Sequence, residues 1–149
     1  MCDGLGFWEK DMILNKTRLY TVAGGEAVIF SASYLALGQL WYADQRAASF
    51  RFVDDGPNWL GMDKVGHSMA SYAMGYAGLE LLEWAGISSQ KARWYCGSLG
   101  LVFLTGVEIF DGHSSGYGFS WSDMLANAAG TVLLIRPGAG PGRERRIRY

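Results

Sequence analysis

The stretch WLGMDKVGHSMASYAMGY, residues 59–76, places a carboxylate, an ammonium and an imidazole near the beginning of an otherwise small and apolar segment. Asp63 and His67 are four residues apart, so on a helix they lie on one face, one turn above the other. Leu or Ala would pack more easily at these places. The stretch therefore predicts a helix that carries a buried polar site near its start.

The rest of the chain continues the helical pattern, and neither a convincing β alternation nor a repeat of fixed period is visible. Asn15 can cap a first long helix, and Ser88 or Ser89 can cap the third. The predicted helices span residues 15–45, 57–85, 88–110 and 120–136. We predict an all-α fold, a small four-helix bundle with a short N-terminal helix within residues 1–14, membrane-embedded or membrane-associated.

At 149 residues the chain is most economically one domain, with a helical core at about 15–136 and a basic tail at 137–149. Its charged fraction of 18% is below the roughly 25% of soluble domains, so apolar segments must face each other or lipid. Residues 21–43 are numerous enough to span a bilayer, although Glu26 interrupts them. These features predict a membrane-associated protein of the bacterial cell envelope, with the membrane or its lipid headgroups as partner.

The net charge of −1 gives no basic field of the kind that nucleic-acid binders display, so no nucleic-acid partner is expected. Protein partners stay open.

Cys2 and Cys96 have no metal-binding spacing, and no ordinary signal peptide precedes Cys2. Either the start is internal or processed, or the first long helix serves as the membrane signal, and a mature lipoprotein that begins at Cys2 is a further alternative.

Two further helices carry polar pairs near one end. Glu108 and Asp111 are three residues apart at the end of the third helix. Asp123 and Asn127 are four residues apart at the start of the fourth. In antiparallel neighbours these ends lie level with the start of the second helix, so the pairs can converge. The predicted polar site consists of Asp63, Lys64, His67, Glu108, Asp111, Asp123 and Asn127.

Carboxylates together with one imidazole are ligands that suit magnesium, manganese, zinc or iron. A divalent metal is therefore the cofactor that this set of side chains could hold. Its predicted ligands are Asp63, His67, Glu108, Asp111 and Asp123. The sequence contains no nucleophile elbow, no His-Glu-x-x-His and no phosphate-binding glycine loop before a lysine, so catalytic residues are not predicted.

The polar pairs also have structural explanations. Ser120-x-x-Asp123 matches a capping box, in which Asp123 would only satisfy backbone N–H groups. Asp63 and Lys64 can form a solvated pair in the first turn of a helix, where an acid is favoured by the helix dipole. A lone histidine such as His67 is more often a hydrogen-bonded core or rim residue than a ligand.

Other polar and small residues are placed outside the site. His113 lies among glycines and serines in a loop, and we expect it to face solvent. Glu80 and Glu83 point to other faces of the second helix than the polar pair. Gly100 and Gly106 are predicted contact points for another helix.

Three motifs in order resemble those of a known bacterial family. They are DKVGHSMASY at 63–72, GVEIFDG at 106–112 and FSWSDMLANAAG at 119–130. Over residues 59–136 the chain is similar to an envelope domain-of-unknown-function family that includes the predicted lipoprotein YfiM, and in more diluted form to VanZ-like membrane proteins. The resemblance implies a small helical envelope protein without an established activity. The matching motif residues are Asp63, Lys64, His67, Glu108, Asp111, Asp123, Asn127 and Gly130.

Three functions compete. The first is a non-enzymatic envelope protein whose polar cluster fixes helix packing or holds a cation or a polar headgroup. This hypothesis predicts that Asp63 pairs with Lys64 or His67 and that no substrate-sized cavity exists. The second is a metal-dependent hydrolase or transferase acting on an envelope lipid or phosphate, with His67 as a ligand or general base. The third is an ion or proton pathway, for which four short helices leave little room.

Overall fold

The structure, a computed structural model, describes residue 10 and residues 13–41, 43–44, 49–54 and 61–136. Within these residues the chain forms α-helices, a π-helical segment and one pair of short strands. In chain order they are α1 (Lys16–Ala36), its π-helical continuation (Leu37–Trp41), β1 (Phe52–Val53), α2 (Met62–Trp84), α3 (Ser89–Gly112), β2 (Phe119–Ser120) and α4 (Trp121–Ile135). The prediction of an all-α bundle is confirmed, because the sheet consists of two-residue strands.

The helix boundaries differ from the predicted ones mainly at α1 and α3. The first helix, expected to reach residue 45, changes from α to π geometry at Leu37 and ends at Trp41. α3 continues to Gly112, two residues beyond the expected end. The predicted start of the second helix at residue 57, most of the predicted N-terminal helix and the basic tail lie outside the described residues.

The two strands tie the segment before α2 to the segment before α4. They pair in parallel, with Phe52 beside Phe119 and Val53 beside Ser120. The Arg51 N–H donates to the Gly112 carbonyl oxygen at 2.9 Å, which extends the attachment to the end of α3. Sequence alone does not predict this pair, because two residues are too few to display the alternation of a strand.

Small residues bring the backbone of α2 close to those of both α3 and α4. A β-carbon at Gly100 of α3 would overlap the carbonyl oxygen of Ser71, and one at Gly130 of α4 would overlap that of Ser68. Ser71 Oγ also lies 3.0 Å from Thr131 Oγ1, within hydrogen-bond distance. The predicted helix contact at Gly100 is therefore confirmed. Both approaches occur within one turn of α2, which sets the relative height of the three helices.

α1 lies against α3 through aromatic side chains. The ring of Tyr34 stacks on Phe103 with centroids 4.8 Å apart, and its hydroxyl donates to the Phe103 carbonyl oxygen at 2.8 Å. The same ring occupies the space beside Gly106, so the second predicted contact point is also confirmed. At the start of α1, Asn15 Oδ1 accepts a hydrogen bond from the Arg18 N–H at 3.1 Å, as expected of the cap.

The main apolar cluster and the buried carboxylates lie at opposite ends of the bundle. The core occupies the end where α1 and α3 begin, and it consists of Val22, Leu79, Leu82, Ala92, Cys96 and Leu134. At the other end α2 and α4 begin and α3 ends. The fully or nearly fully buried side chains there include Glu108, Asp123 and Asn127. The fold thus separates the side chains that drive folding from those that carry chemistry.

One helix among the described residues is long and apolar enough to cross a membrane. It covers Lys16–Leu40, has 25 residues and a mean hydropathy of 1.2, and 6% of its apolar window is buried. Signal sequences and core helices of soluble proteins pass the same test of length and composition. The expected membrane association therefore stays a prediction at this point.

Replacing Gly100 by Ala should lower the free energy of unfolding by about 2 kcal/mol, because the added methyl group must push the α2 backbone at Ser71 away. Gly66→Ala is the matched control, since Gly66 is also helical but has open space beside it. The control should be neutral or stabilising by up to about 1 kcal/mol. Denaturant unfolding followed by circular dichroism measures both, and equal effects would contradict the close helix approach.

Candidate functional site

Six of the seven predicted polar residues meet at the end of the bundle where α2 and α4 begin and α3 ends. Each pair separated by four residues lies on one helix face, and the close packing of the three helices turns these faces toward one another. The six residues are Asp63, Lys64 and His67 from α2, Glu108 from α3, and Asp123 and Asn127 from α4. Asp111, the seventh, lines the cavity beside them.

Lys64 bridges the carboxylates of two helices. Its Nζ lies 3.0 Å from Asp63 Oδ2 and 2.6 Å from Asp123 Oδ1. The side chain of Asp123 is 5% exposed, and such a buried carboxylate needs a charged or hydrogen-bonding partner to stay ionised. The Asp63–Lys64 pair is thus more than a solvated first-turn pair, because Lys64 is 18% exposed and reaches into the site.

The imidazole of His67 is oriented by Asn127. His67 Nδ1 lies 3.1 Å from Asn127 Oδ1, and an amide oxygen is only an acceptor, so the proton belongs on Nδ1. In the neutral ring, Nε2 then presents a lone pair. This nitrogen lies 3.7 Å from Asp63 Oδ1 and 4.0 Å from Asp123 Oδ2. Asn127 therefore directs the basic nitrogen of the ring toward two carboxylates.

Asp63, His67 and Asp123 form a compact group of potential metal ligands. One ligand atom from each residue lies within 4.8 Å of the others. Glu108 and Asp111, which the sequence also suggested as ligands, are not part of this group among the described residues. Glu108 Oε1 instead faces the other ring nitrogen, at 3.8 Å from His67 Nδ1.

Glu108 links the site to the start of α4. Its Oε2 accepts a hydrogen bond from the Ser120 N–H at 3.0 Å, and the side chain is almost completely buried. Burial, and to a smaller extent the neighbouring carboxylates of Asp123 and Asp111, raise the pKa of Glu108, and the net pKa is about 7. The Ser120 N–H and His67 act in the opposite direction. Glu108 is therefore a carboxyl group that titrates near neutral pH.

The capping explanation of Asp123 describes its backbone but not its side chain. Ser120 Oγ accepts a hydrogen bond from the Asp123 N–H at 3.2 Å, so Ser120 caps α4. The Asp123 carboxylate pairs with Lys64 across the helix interface. In a capping box, the acid three residues after the cap accepts from the cap N–H, and here Glu108 of α3 accepts from that N–H.

A cavity of about 590 Å³ opens beside these residues. Its wall includes residues 51–54 and 116–118, in and next to the two strands. The Arg51 side chain holds this wall together, because its guanidinium donates to the Tyr117 and Ser115 carbonyl oxygens at 2.6 and 2.8 Å. Sequence reasoning missed Arg51 and Asp54 as cavity residues. Their only signal was the polar composition of the segment in which they lie.

The residues expected outside the site do lie outside it. His113 is exposed, and its ring makes an edge contact with Phe50 at 5.0 Å between centroids. Glu80 and Glu83 pair with Lys10 at the opposite end of the bundle. The second histidine and these two acids therefore supply comparison positions for experiments on the site.

The family described as "Predicted periplasmic lipoprotein (DUF2279)" matches residues 52–135, and the chain belongs to this family. The match begins at β1 and includes α2, α3, α4 and every residue of the polar site. Its description indicates the cell envelope, in agreement with the predicted location. Comparisons with curated proteins and with solved structures give no match. The relations to YfiM and to VanZ-like proteins stay predictions.

Glu108→Gln should remove a pH dependence of stability. The folded-state pKa of about 7 lies above the ordinary value of 4.5, so the unfolded chain releases this proton at lower pH. The wild-type protein should therefore lose stability relative to Glu108→Gln as pH rises from about 4.5 to about 7. Denaturant unfolding at several pH values measures the difference. A difference that is constant over this range would contradict the raised pKa.

Proposed function

We propose that the protein holds a divalent transition-metal cation in the cell envelope, with Asp63, His67 and Asp123 as its protein ligands. The observation that carries the proposal is the orientation of His67. Because Asn127 engages Nδ1 at 3.1 Å, the lone pair of Nε2 is available to a cation between the two carboxylates. Metal-binding histidines are typically fixed in this way by a hydrogen bond to the second ring nitrogen.

The division of the carboxylate oxygens supports the same proposal. Asp63 and Asp123 each direct one oxygen to Lys64 and the other toward His67 Nε2. A cation bound beside Nε2 therefore does not need to displace Lys64. The two carboxylates and the ammonium together carry a charge of about −1, which favours a cation while reducing carboxylate repulsion.

The cavity is acidic as a whole. Its lining carboxylates are Asp54, Asp63, Glu108, Asp111 and Asp123. Arg51 also lines it, but its guanidinium is engaged by the backbone of the 113–118 loop. An excess of carboxylates around a cleft raises the local concentration of cations. The electrostatics of the cavity thus agree with the proposed ligand.

The three ligand atoms lie within 4.8 Å of one another, so binding of a small cation requires them to move closer together by up to about 1.4 Å. Ligand atoms around a tetrahedral zinc ion at about 2.05 Å are about 3.4 Å apart. The separations of His67 Nε2 from the two carboxylate oxygens, 3.7 and 4.0 Å, exceed this value by a few tenths of an ångström. A mixed nitrogen and oxygen set favours zinc, manganese or iron over calcium, which prefers oxygen alone.

Helix packing alone explains part of the site. Its expectation that Asp63 pairs with Lys64 agrees with the 3.0 Å contact. The hypothesis of a non-enzymatic cluster, ligand holding included, also expects no substrate-sized cavity, and the volume of about 590 Å³ beside the same residues does not agree with that expectation. Packing alone therefore does not account for the cavity.

Titration calorimetry of the metal-free protein with Zn²⁺ and Mn²⁺ tests the proposal. We expect binding of one cation per chain, and an increase in unfolding free energy of about 2.7 kcal/mol when the free cation is at a hundredfold excess over Kd. His67→Gln and Asp123→Asn should each weaken binding at least about tenfold. His113→Gln is the matched control, because it removes an imidazole outside the site and should bind like the wild type.

One outcome would contradict the proposal: the wild-type protein binds neither cation, while His67→Gln and Asp123→Asn still lower its stability. The role of the cluster would then be helix packing and not cation binding. Equal binding by His67→Gln and the wild type would place the cation elsewhere. These results are separable because calorimetry reports binding and denaturation without metal reports packing.

A metal-dependent hydrolase or transferase acting on an envelope lipid or phosphate is the second candidate. The observation in its favour is the cavity volume, which is in the range of small-molecule sites, about 300–1,000 Å³. A bound cation would supply Lewis acidity there, and Glu108 has a pKa near 7, which suits a proton-transferring group.

Assays of the cation-loaded protein with phosphomonoester, phosphodiester and carboxylic ester substrates test this candidate. The expected result is turnover of at least one class that is lost in Asp123→Asn and retained in His113→Gln. Absence of turnover with all three classes, in protein shown to contain its cation, would leave cation holding without catalysis.

A further inference from the structure

We propose that the lateral surface of the bundle is a lipid-contact surface, so that the middle parts of α1 to α4, between the two charged ends of the bundle, lie within the acyl-chain region of a bilayer. The acidic cavity and the opposite charged end would then lie at the two headgroup levels. This inference does not depend on cation binding, because it rests on outward-facing residues that are not part of the site.

The outward faces of α2 and α4 carry apolar side chains where a soluble bundle carries charges. The exposed residues of α2 are Met62, Val65, Gly66, Met69, Ala73, Ala77 and Leu81. The exposed residues of α4 are Trp121, Leu125, Ala129, Val132 and Leu133. Met69 and Leu125, in the middle of these two faces, are 67% and 72% exposed. The partly exposed charged side chains of α2, Asp63 and Glu80 at 40% and 42%, lie near its two ends, and none of the exposed residues of α4 is charged.

The charged residues of the helices form two layers with an uncharged belt between them. In α3 no charged residue lies in 94–107, and in α4 none lies in 124–135. At 1.5 Å per residue these segments are about 21 and 18 Å long. In α1, Glu26 does fall within the belt, but its Oε1 is next to Gly78 of α2 and thus faces the bundle interior.

Two exposed hydroxyl groups of the helices, those of Ser98 and Thr21, are satisfied by their own helix. Ser98 Oγ lies 2.7 Å from the Tyr95 carbonyl oxygen and 3.1 Å from that of Trp94. Thr21 Oγ1 donates to the Thr17 carbonyl oxygen at 3.0 Å on α1. A polar group in hydrocarbon must find such an internal partner, whereas an exposed group in water does not need one.

Aromatic side chains border the belt at both levels. Trp94 and Tyr95, which are 63% and 65% exposed, stand at the charged end of α3. Tyr20 is 72% exposed near the start of α1, at the same end of the bundle. At the opposite end, Trp121 is 63% exposed at the start of α4. Exposed Trp and Tyr are typical of the membrane–water interface.

Lipid fits this surface better than a second copy of the chain. Large exposed apolar residues occur on all four helices, for example Val28 on α1 and Val102 on α3, which are 68% and 63% exposed. A contact between two copies covers one side of each protein, whereas acyl chains surround it. The belt of about 20 Å is thinner than a hydrocarbon core of about 30 Å, so local thinning of the bilayer accompanies the proposed placement.

Spin labels on outward positions test the proposal in the full chain reconstituted into phosphatidylethanolamine–phosphatidylglycerol vesicles. Single cysteines replace Val28, Met69, Val102 or Leu125, in a parent with Cys2→Ser and Cys96→Ala whose circular dichroism matches the wild type. We expect each label to relax several-fold more with molecular oxygen than with a water-soluble nickel chelate. Lys91→Cys, at the charged end of α3, is the matched control and should show the reverse preference.

Each alternative gives a different pattern. Labels that the nickel chelate reaches at the four belt positions would place this surface in water and overturn the proposal. Labels shielded from both reagents would mean that protein, such as a second copy, covers the surface, and would overturn it as well. The accessibility of the spin labels to oxygen and to the nickel chelate does not depend on cation binding. A failure of the proposed cation binding can therefore be distinguished from a failure of this inference.

Discussion

The close approach of α2 to α3 and α4 is the constraint on which the site depends. Two turns of α3 separate Gly100 from Glu108, and one turn of α4 separates Gly130 from Asn127. Both glycines contact the α2 backbone beside His67, at Ser71 and Ser68. Because a helix is stiff over such short distances, these contacts bring the polar residues of three helices to one level. The geometry of the site is thus determined by the packing of glycines that are not themselves part of the site.

Lys64 shows how buried acids are kept compatible with folding. Without a nearby cation, the Asp123 carboxylate, whose side chain is 5% exposed, would be an uncompensated buried charge. Lys64 supplies that charge from the neighbouring helix and uses only one oxygen of each carboxylate. The folded chain therefore needs no bound ligand to stabilise its acids, while the side of the carboxylates that faces His67 keeps its capacity to bind one.

Helical spacing was sufficient to predict most of the fold and the convergence of the polar pairs, since i,i+4 pairs share a face in any helix. It was not sufficient to assign Asp123, because the Ser120-x-x-Asp123 spacing is the same for a cap and for a site residue. The distinction comes from Glu108 of another helix, which accepts from the Ser120 N–H. Asp111 is three residues from Glu108 and shares its helix face, and it lines the cavity at the end of α3. Arg51 and Asp54 depend on a strand pair too short to leave a pattern.

The cavity wall is held by main-chain hydrogen bonds between residue 51 and the segment that runs from Gly112 to Phe119. Such bonds do not depend on the side chains at exposed lining positions such as 54 and 117, so substitutions there change the lining while the main-chain hydrogen bonds stay in place. Related chains can therefore diverge in what they accommodate without remodelling the bundle. Selectivity and foldability are, in this architecture, encoded by different parts of the sequence.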